Sequence, residues 1–135
     1  IMTQEDKELL LKDLCARLPY HPIVSVAYNY ADKGIVWGFD VLRIKLLLEI
    51  EEEENWEYIK PYIRPMSSMT EDEKETYYNL CYEEEREELE FGEWAARIHY
   101  HDTIESIDYL NSIHADYREL IPKGLALEAP EDMYK

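Results

Sequence analysis

At Pro19 the apolar residues of this chain change their period, and that change constrains the fold more than any other feature. Before it, Leu10, Leu14 and Leu18 recur at every fourth position with Leu11 and Cys15 beside them, the spacing of a helix with one buried face. Thr3 and Asp6 stand as a capping box ahead of that stripe, so a helix is expected over Gln4–Arg17. After His21-Pro22, Val24, Val26, Tyr28 and Tyr30 alternate with Ser25, Ala27 and Asn29, the period of a strand. A chain that carries both periods in short adjacent segments has to pack helices on a sheet.

The alternation continues. Ala31-Asp32-Lys33-Gly34 reads as a turn, and Ile35, Trp37 and Phe39 as a second strand. Beyond Gly38 and Asp40 the phase shifts to Leu42, Ile44, Leu46, Leu48 and Ile50, with Arg43, Lys45 and Glu49 on the wet face. Glu51 to Asn55 reads as a loop, and Trp56 to Ile59 as a fourth strand stopped by Pro61. Strands so close in sequence predict an antiparallel meander, curled into an SH3-like partial barrel. Thr70 with Glu73 opens a second helix, expected to run to about Phe91-Gly92 with Tyr78, Cys81, Tyr82 and Leu89 along its buried edge. Asp102 with Glu105 is expected to cap a third, whose stripe is Ile104, Ile107, Leu110 and Ile113 or His114. The class is therefore α+β, in one domain spanning 1–135. It comprises a helix at 3–18, a β-meander at 22–60, two to three helices over 70–121 and a packed tail at 122–135.

Charge narrows the function. The chain carries 31 acidic and 14 basic residues and a net charge of −17, which argues against direct contact with nucleic acid or an anionic membrane. Four glycines build no phosphate-cradling loop. The first twenty residues lack the apolar stretch of a signal peptide, and Val41 to Ile50 is too short and too charged to span a bilayer. Cys15 and Cys81, far apart and in no paired motif, read as reduced, half-buried thiols of a cytoplasmic protein.

Between Glu49 and Glu93, 17 acidic and 4 basic residues leave −13 of the −17. In a helix, Glu83 with Glu87 and Glu84 with Glu88 repel each other at i, i+4. This places an electrostatic docking face on Glu51, Glu52, Glu53, Glu54, Tyr77, Glu83, Glu84, Glu87 and Glu88, suited to a basic protein partner. In its most specific form the carboxylates stand in for phosphates, as a DNA mimic.

The alternative is a small metal-dependent enzyme built on His99 and His101, which share a side of an extended segment. Ile104 stands where a fuller metal motif would have a further histidine. Glu51 to Glu54 lacks the spacing of a calcium loop, and Ser67 and Ser68 sit in no nucleophile elbow. A non-enzymatic role without a cofactor is expected.

Three segments carry a resemblance. They are Asp6 to Tyr20 (DKELLLKDLCARLPY), Ile59 to Thr70 (IKPYIRPMSSMT) and His114 to Pro130 (HADYRELIPKGLALEAP). Together they resemble a family of short proteins from Bacteroidetes genomes, often found among phage-like or mobile-element genes. Where the family has glycine after Pro-Tyr, this chain has His21-Pro22, and its middle departs from the pattern. The family brings no catalytic residue or cofactor; the resemblance implies an accessory or host-interaction role.

Overall fold

Helix α1 (Gln4–Arg17) begins and ends as its sequence predicts. The computed structural model describes residues 2–88 and 94–135, and of these the side chains other than 29, 30, 84–88 and 94–99. Thr3 Oγ1 accepts from the Asp6 N–H at 3.1 Å and Asp6 Oδ2 accepts from the Thr3 N–H at 3.3 Å, closing the capping box. Leu10 and Leu14 are fully buried, each worth roughly 2 kcal/mol of apolar transfer. Cys15 turns out to solvent instead of widening the stripe; both cysteines are free thiols.

Strands β1 (Ile23–Tyr30) and β2 (Gly34–Val41) form the expected hairpin, in unbroken register from Ile23 opposite Val41 to Tyr30 opposite Gly34. Gly34 takes the φ of +72° that the turn requires. The next segment corrects the sequence reading. Ile44–Glu53 is helix α2, not a third strand. Its apolar residues suit both periods at Leu46 and Ile50, but Leu47 is buried beside them while Ile44 and Leu48 are exposed, which only a helix allows. Glu51 to Glu53 form its last turn rather than a loop, and Glu54 ends it at φ +55°.

Trp56–Tyr58 is a single tight turn, and the strand expected there starts later, as β3 (Ile59–Ile63). Pro61, read as a stop, lies inside it as the last residue in the ladder with β1. From there β3 pairs with β6 (Leu127–Glu128), in parallel. The sheet order is β2-β1-β3-β6. The class is α+β with an N-terminal helix followed by strands, as expected. In place of a sequential SH3-like curl, however, the sheet is mixed, interrupted by a helix and completed from the tail. Val24, Val26 and Ile59 pack one face onto Leu10, Leu14, Leu46, Leu47, Ile50 and Trp56.

The predicted Glu-rich helix is shorter than expected. Helix α3 (Glu71–Leu80) starts on the predicted Thr70–Glu73 box but ends at Cys81, whose backbone is extended. Residues Tyr82–Glu88 are strand β4, antiparallel to β5 (Trp94–His101) with a register shift between Glu84 and Arg86. A helix would hold Glu83 near Glu87 and Glu84 near Glu88, about 5–6 Å apart. Four residues along a strand span about 13 Å of backbone instead. Leu89 and the Phe91-Gly92 break lie outside the described residues.

Helix α4 (Ile104–Ser112) is capped by Thr103 and Ser106, one residue beyond the expected Asp102–Glu105 box. Asp102 instead accepts from Tyr77 Oη at 2.6 Å and Ser106 Oγ at 3.1 Å. Of the expected stripe, Leu110 and His114 are buried and Ile104 is exposed. The tail packs as predicted. Leu125 and Ala126 are buried, and Tyr134 Oη accepts from the Ile23 N–H and donates to the Tyr62 carbonyl at 2.6 Å. Among the described residues no helix is long and apolar enough to cross a membrane.

A buried ion pair ties the first helix to the last third of the chain. Arg17 is 0% exposed; its Nε donates to Asp13 at 2.8 Å and its Nη2 to the Ala115 carbonyl at 2.7 Å. Arg118 reaches the other Asp13 oxygen at 3.0 Å. Removing one partner strands a charge in the core. Asp13→Ala should therefore lower unfolding free energy by about 3–5 kcal/mol in urea titration; a loss under about 1 kcal/mol would show that the pair does not hold α1 in place.

Candidate functional site

Glu8, Glu51 and Glu54 come together where the start of α1 meets the end of α2. Gln4, Lys7, Glu8 and Leu11 form one wall of a groove of about 400 Å³, and Glu51, Glu54 and Trp56 form the other. The walls are placed by local chemistry. The Thr3 cap fixes the first turn of α1. On the other side, the left-handed Glu54 lets the Asn55 N–H return to the Ile50 carbonyl at 3.1 Å, which drops Trp56 into the core. Carboxylates here add to the negative end of the α2 dipole, while Lys7 and the positive end of the α1 dipole oppose them; three glutamates against one lysine leave the lining net negative. Asn55 Nδ2 donates to Glu53 at 2.9 Å and Gln4 Nε2 to Glu8 at 3.3 Å. Among the described residues no Lys or Arg forms an ion pair with Glu51, Glu52, Glu53 or Glu54, all four of which are exposed.

The groove draws Glu51 and Glu54 together with Glu8, which the sequence reading missed. Among the described residues none of its lining comes from β4. Glu83 is exposed on that strand, opposite Tyr100; Glu84, Glu87 and Glu88 share its backbone, and their side chains lie outside the description. Tyr77 is half-buried with its hydroxyl committed to Asp102; burial, then that hydrogen bond, raise its pKa. The ring of the exposed His101 lies 6.3 Å from Tyr82, while the His99 side chain is not described. Among the described residues no group of three or more His, Cys, Asp or Glu side chains is placed to hold a metal ion.

A larger cleft of about 590 Å³ lies between β3, the start of α3 and the tail, with Arg64, Ser68, Glu73, Tyr134 and Lys135 on its walls. Its arginine is already occupied. Arg64 grips Glu73 with two nitrogens at 2.7 and 2.8 Å and also donates to the carbonyls of Ser68 and Ile113. Ser68 Oγ is spent on Arg64 and the Pro65 carbonyl, the structural role its place before the helix predicts. Bonding from Arg64 pulls the Glu73 pKa down to about 2. Behind this cleft His114 stacks on Tyr134 at 3.7 Å, and burial, then the Arg17 and Arg64 charges, push its pKa down to about 4. Burial raises Tyr134 to about 12. These values describe a locked structural network: an ionised carboxylate already paired and a neutral imidazole already packed.

No protein-family model, no curated protein and no solved structure matches this chain.

The network makes stability depend on acid in two successive windows. Below the ordinary histidine pKa of 6.5 the unfolded chain takes up a proton that folded His114 refuses until about pH 4. Stability thus falls as pH drops from 6.5 to 4, by about 3 kcal/mol at most. Glu73, lowered from 4.5 to about 2, contributes stability above pH 4.5 that is lost as pH falls toward 2. Chemical denaturation across this range should show the first slope vanish in His114→Asn, since asparagine tolerates the φ of +61° at this position. An unchanged slope would assign the acid sensitivity elsewhere.

Proposed function

We propose that this protein is a non-catalytic, acidic binding module that docks a basic protein partner. The observation that carries the reading is the groove in which Glu8 from α1 joins Glu51 and Glu54 from α2 beside Leu11 and Trp56. Carboxylates from two elements line it together with Leu11 and Trp56 and outnumber the chain's own Lys7, a combination suited to a Lys or Arg side chain whose methylene stem packs while its charge pairs. Glu52 and Glu53 continue the field outward, and the glutamates of β4 add a second acidic element to a chain of net charge −17. Such a field speeds encounter with basic proteins and repels nucleic acid.

The resemblance of three segments to short Bacteroidetes proteins found among mobile-element genes fits an accessory role better than housekeeping catalysis. Two free thiols suit a reducing compartment, so the reading includes a cytoplasmic location. Its most specific form is a DNA mimic that occupies a nucleic-acid-binding protein; competition by duplex DNA for the same partner distinguishes that form.

A decalysine peptide is a direct probe. Titration calorimetry should detect binding at low salt that weakens as salt rises. The Glu51→Lys, Glu54→Lys variant should bind about tenfold more weakly, while its helix end is favoured by the dipole. Equal affinity in the variant would remove the groove from the function.

A further inference from the structure

Strand β2 is the outermost strand of the sheet, paired along its whole length with β1, and among the described residues no strand pairs with its other side. Which of its backbone groups face that open side follows from one bond. The Leu42 N–H donates to the Pro22 carbonyl at 2.9 Å, one step beyond the Ile23–Val41 pair of the register. Antiparallel ladders alternate bonded and non-bonded pairs. The even-numbered residues of β2 therefore bond to β1, and Ile35, Trp37, Phe39 and Val41 turn their N–H and C=O outward.

At Val41 the edge is closed by side chains. Asp40 Oδ1 accepts its N–H at 2.8 Å and Arg43 Nη1 donates to its carbonyl at 3.3 Å. At Ile35, Trp37 and Phe39 no described group does so. These three residues also expose their side chains on the sheet face away from the core, at 51%, 48% and 71%. Tyr58 and Tyr62 brace that face, 6.4 Å from Trp37 and 5.5 Å from Phe39. An open edge bearing large apolar side chains is a pairing template unless something covers it.

Charge selects the occupant. Residues 18–48 contain Asp32 and Asp40 against Lys33, Arg43 and Lys45, a net +1 in a chain of −17, and Asp40 is paired with Arg43 at 2.6 Å. A basic partner finds only Asp32, beside Lys33 in the hairpin turn, as a carboxylate without an ion pair among the described residues of this edge. A second copy, repelled by most of the acidic surface, meets no repulsion here.

We propose that β2 pairs antiparallel with β2 of a second copy, about a twofold axis at Trp37, joining two four-stranded sheets into one. This goes beyond the acidic docking reading and does not depend on it. The register is set by the open groups: Trp37 faces its own counterpart, and Ile35 faces the counterpart of Phe39. Each of these pairs exchanges two hydrogen bonds, and the closed Val41 ends the ladder on both sides. Aromatic and branched side chains then meet across the axis, the favourable kind of cross-strand pair.

Sedimentation velocity of the full chain over a concentration series tests this. The wild type should dimerise, and more tightly as salt screens its charge, whereas decalysine binding weakens with salt. Two variants spare the single-chain fold. Trp37→Pro removes an N–H that β1 does not use, and Trp37→Lys, at a side chain 48% exposed, sets two like charges directly opposite each other across the axis. With far-UV circular dichroism unchanged, each should raise the dimer dissociation constant about tenfold or more. A monomeric wild type at every concentration overturns the proposal, as does a dimer that both variants leave intact. A monomer that instead takes an extended peptide onto β2 overturns it in favour of strand pairing with another protein.

Discussion

A guanidinium buried to 0% exposure organises this molecule. Arg17 can leave water only because Asp13, one turn earlier, and the Ala115 carbonyl replace its hydration. Asp13 is in turn shared with Arg118. The loop that carries Ala115 is stitched to β3, since Arg64 N–H donates to the His114 carbonyl and Asp116 N–H to the Arg64 carbonyl. Helix α1, the strand β3 and the last third of the chain therefore hold one another through polar bonds as much as through leucines. Among the described residues no group pairs with two buried nitrogens, Arg17 Nη1 and His114 Nδ1, which is the residual cost of the arrangement.

That lock divides the surface by charge. The sheet turns one face to α1 and α2 and leaves the other, with β2 at its edge, nearly neutral. The carboxylates gather elsewhere, at the end of α2 and along β4. An acidic chain that spread its charge evenly would repel every neighbour of its own kind; this one leaves a nearly neutral edge bearing exposed Ile35, Trp37 and Phe39. The two features differ in charge, so contacts made at each would respond to salt in opposite directions.

Much of this was legible in the residues, and the misses have particular causes. The capping boxes at Thr3 and Thr70, the alternation from Val24 to Phe39 and the packed tail at Leu125 all stand as read. Val41 to Ile50 was misread because Leu46 and Ile50 fit either period, and only Leu47 distinguishes them. The acidic run after Leu80 has too few apolar residues for any period to show, so the capping box invited one helix through to Gly92. The acidic site was half visible: Glu51 and Glu54 were named, but Glu8 joined them only because α1 packs beside α2.

The sequence by itself determined what neighbours decide. A cap reaches three residues, a helical stripe four and a strand alternation two, so α1, the β1–β2 hairpin and the start of α3 follow from local chemistry, and the net charge from a count. Tertiary structure decided the rest. The burial of Arg17 rests on a carbonyl 98 residues away. The open edge of β2 exists because β3 and β6 build the sheet on the other side of β1. Those outcomes turn on desolvation and long-range hydrogen bonds, which depend on which segments meet in space and leave no period in the sequence.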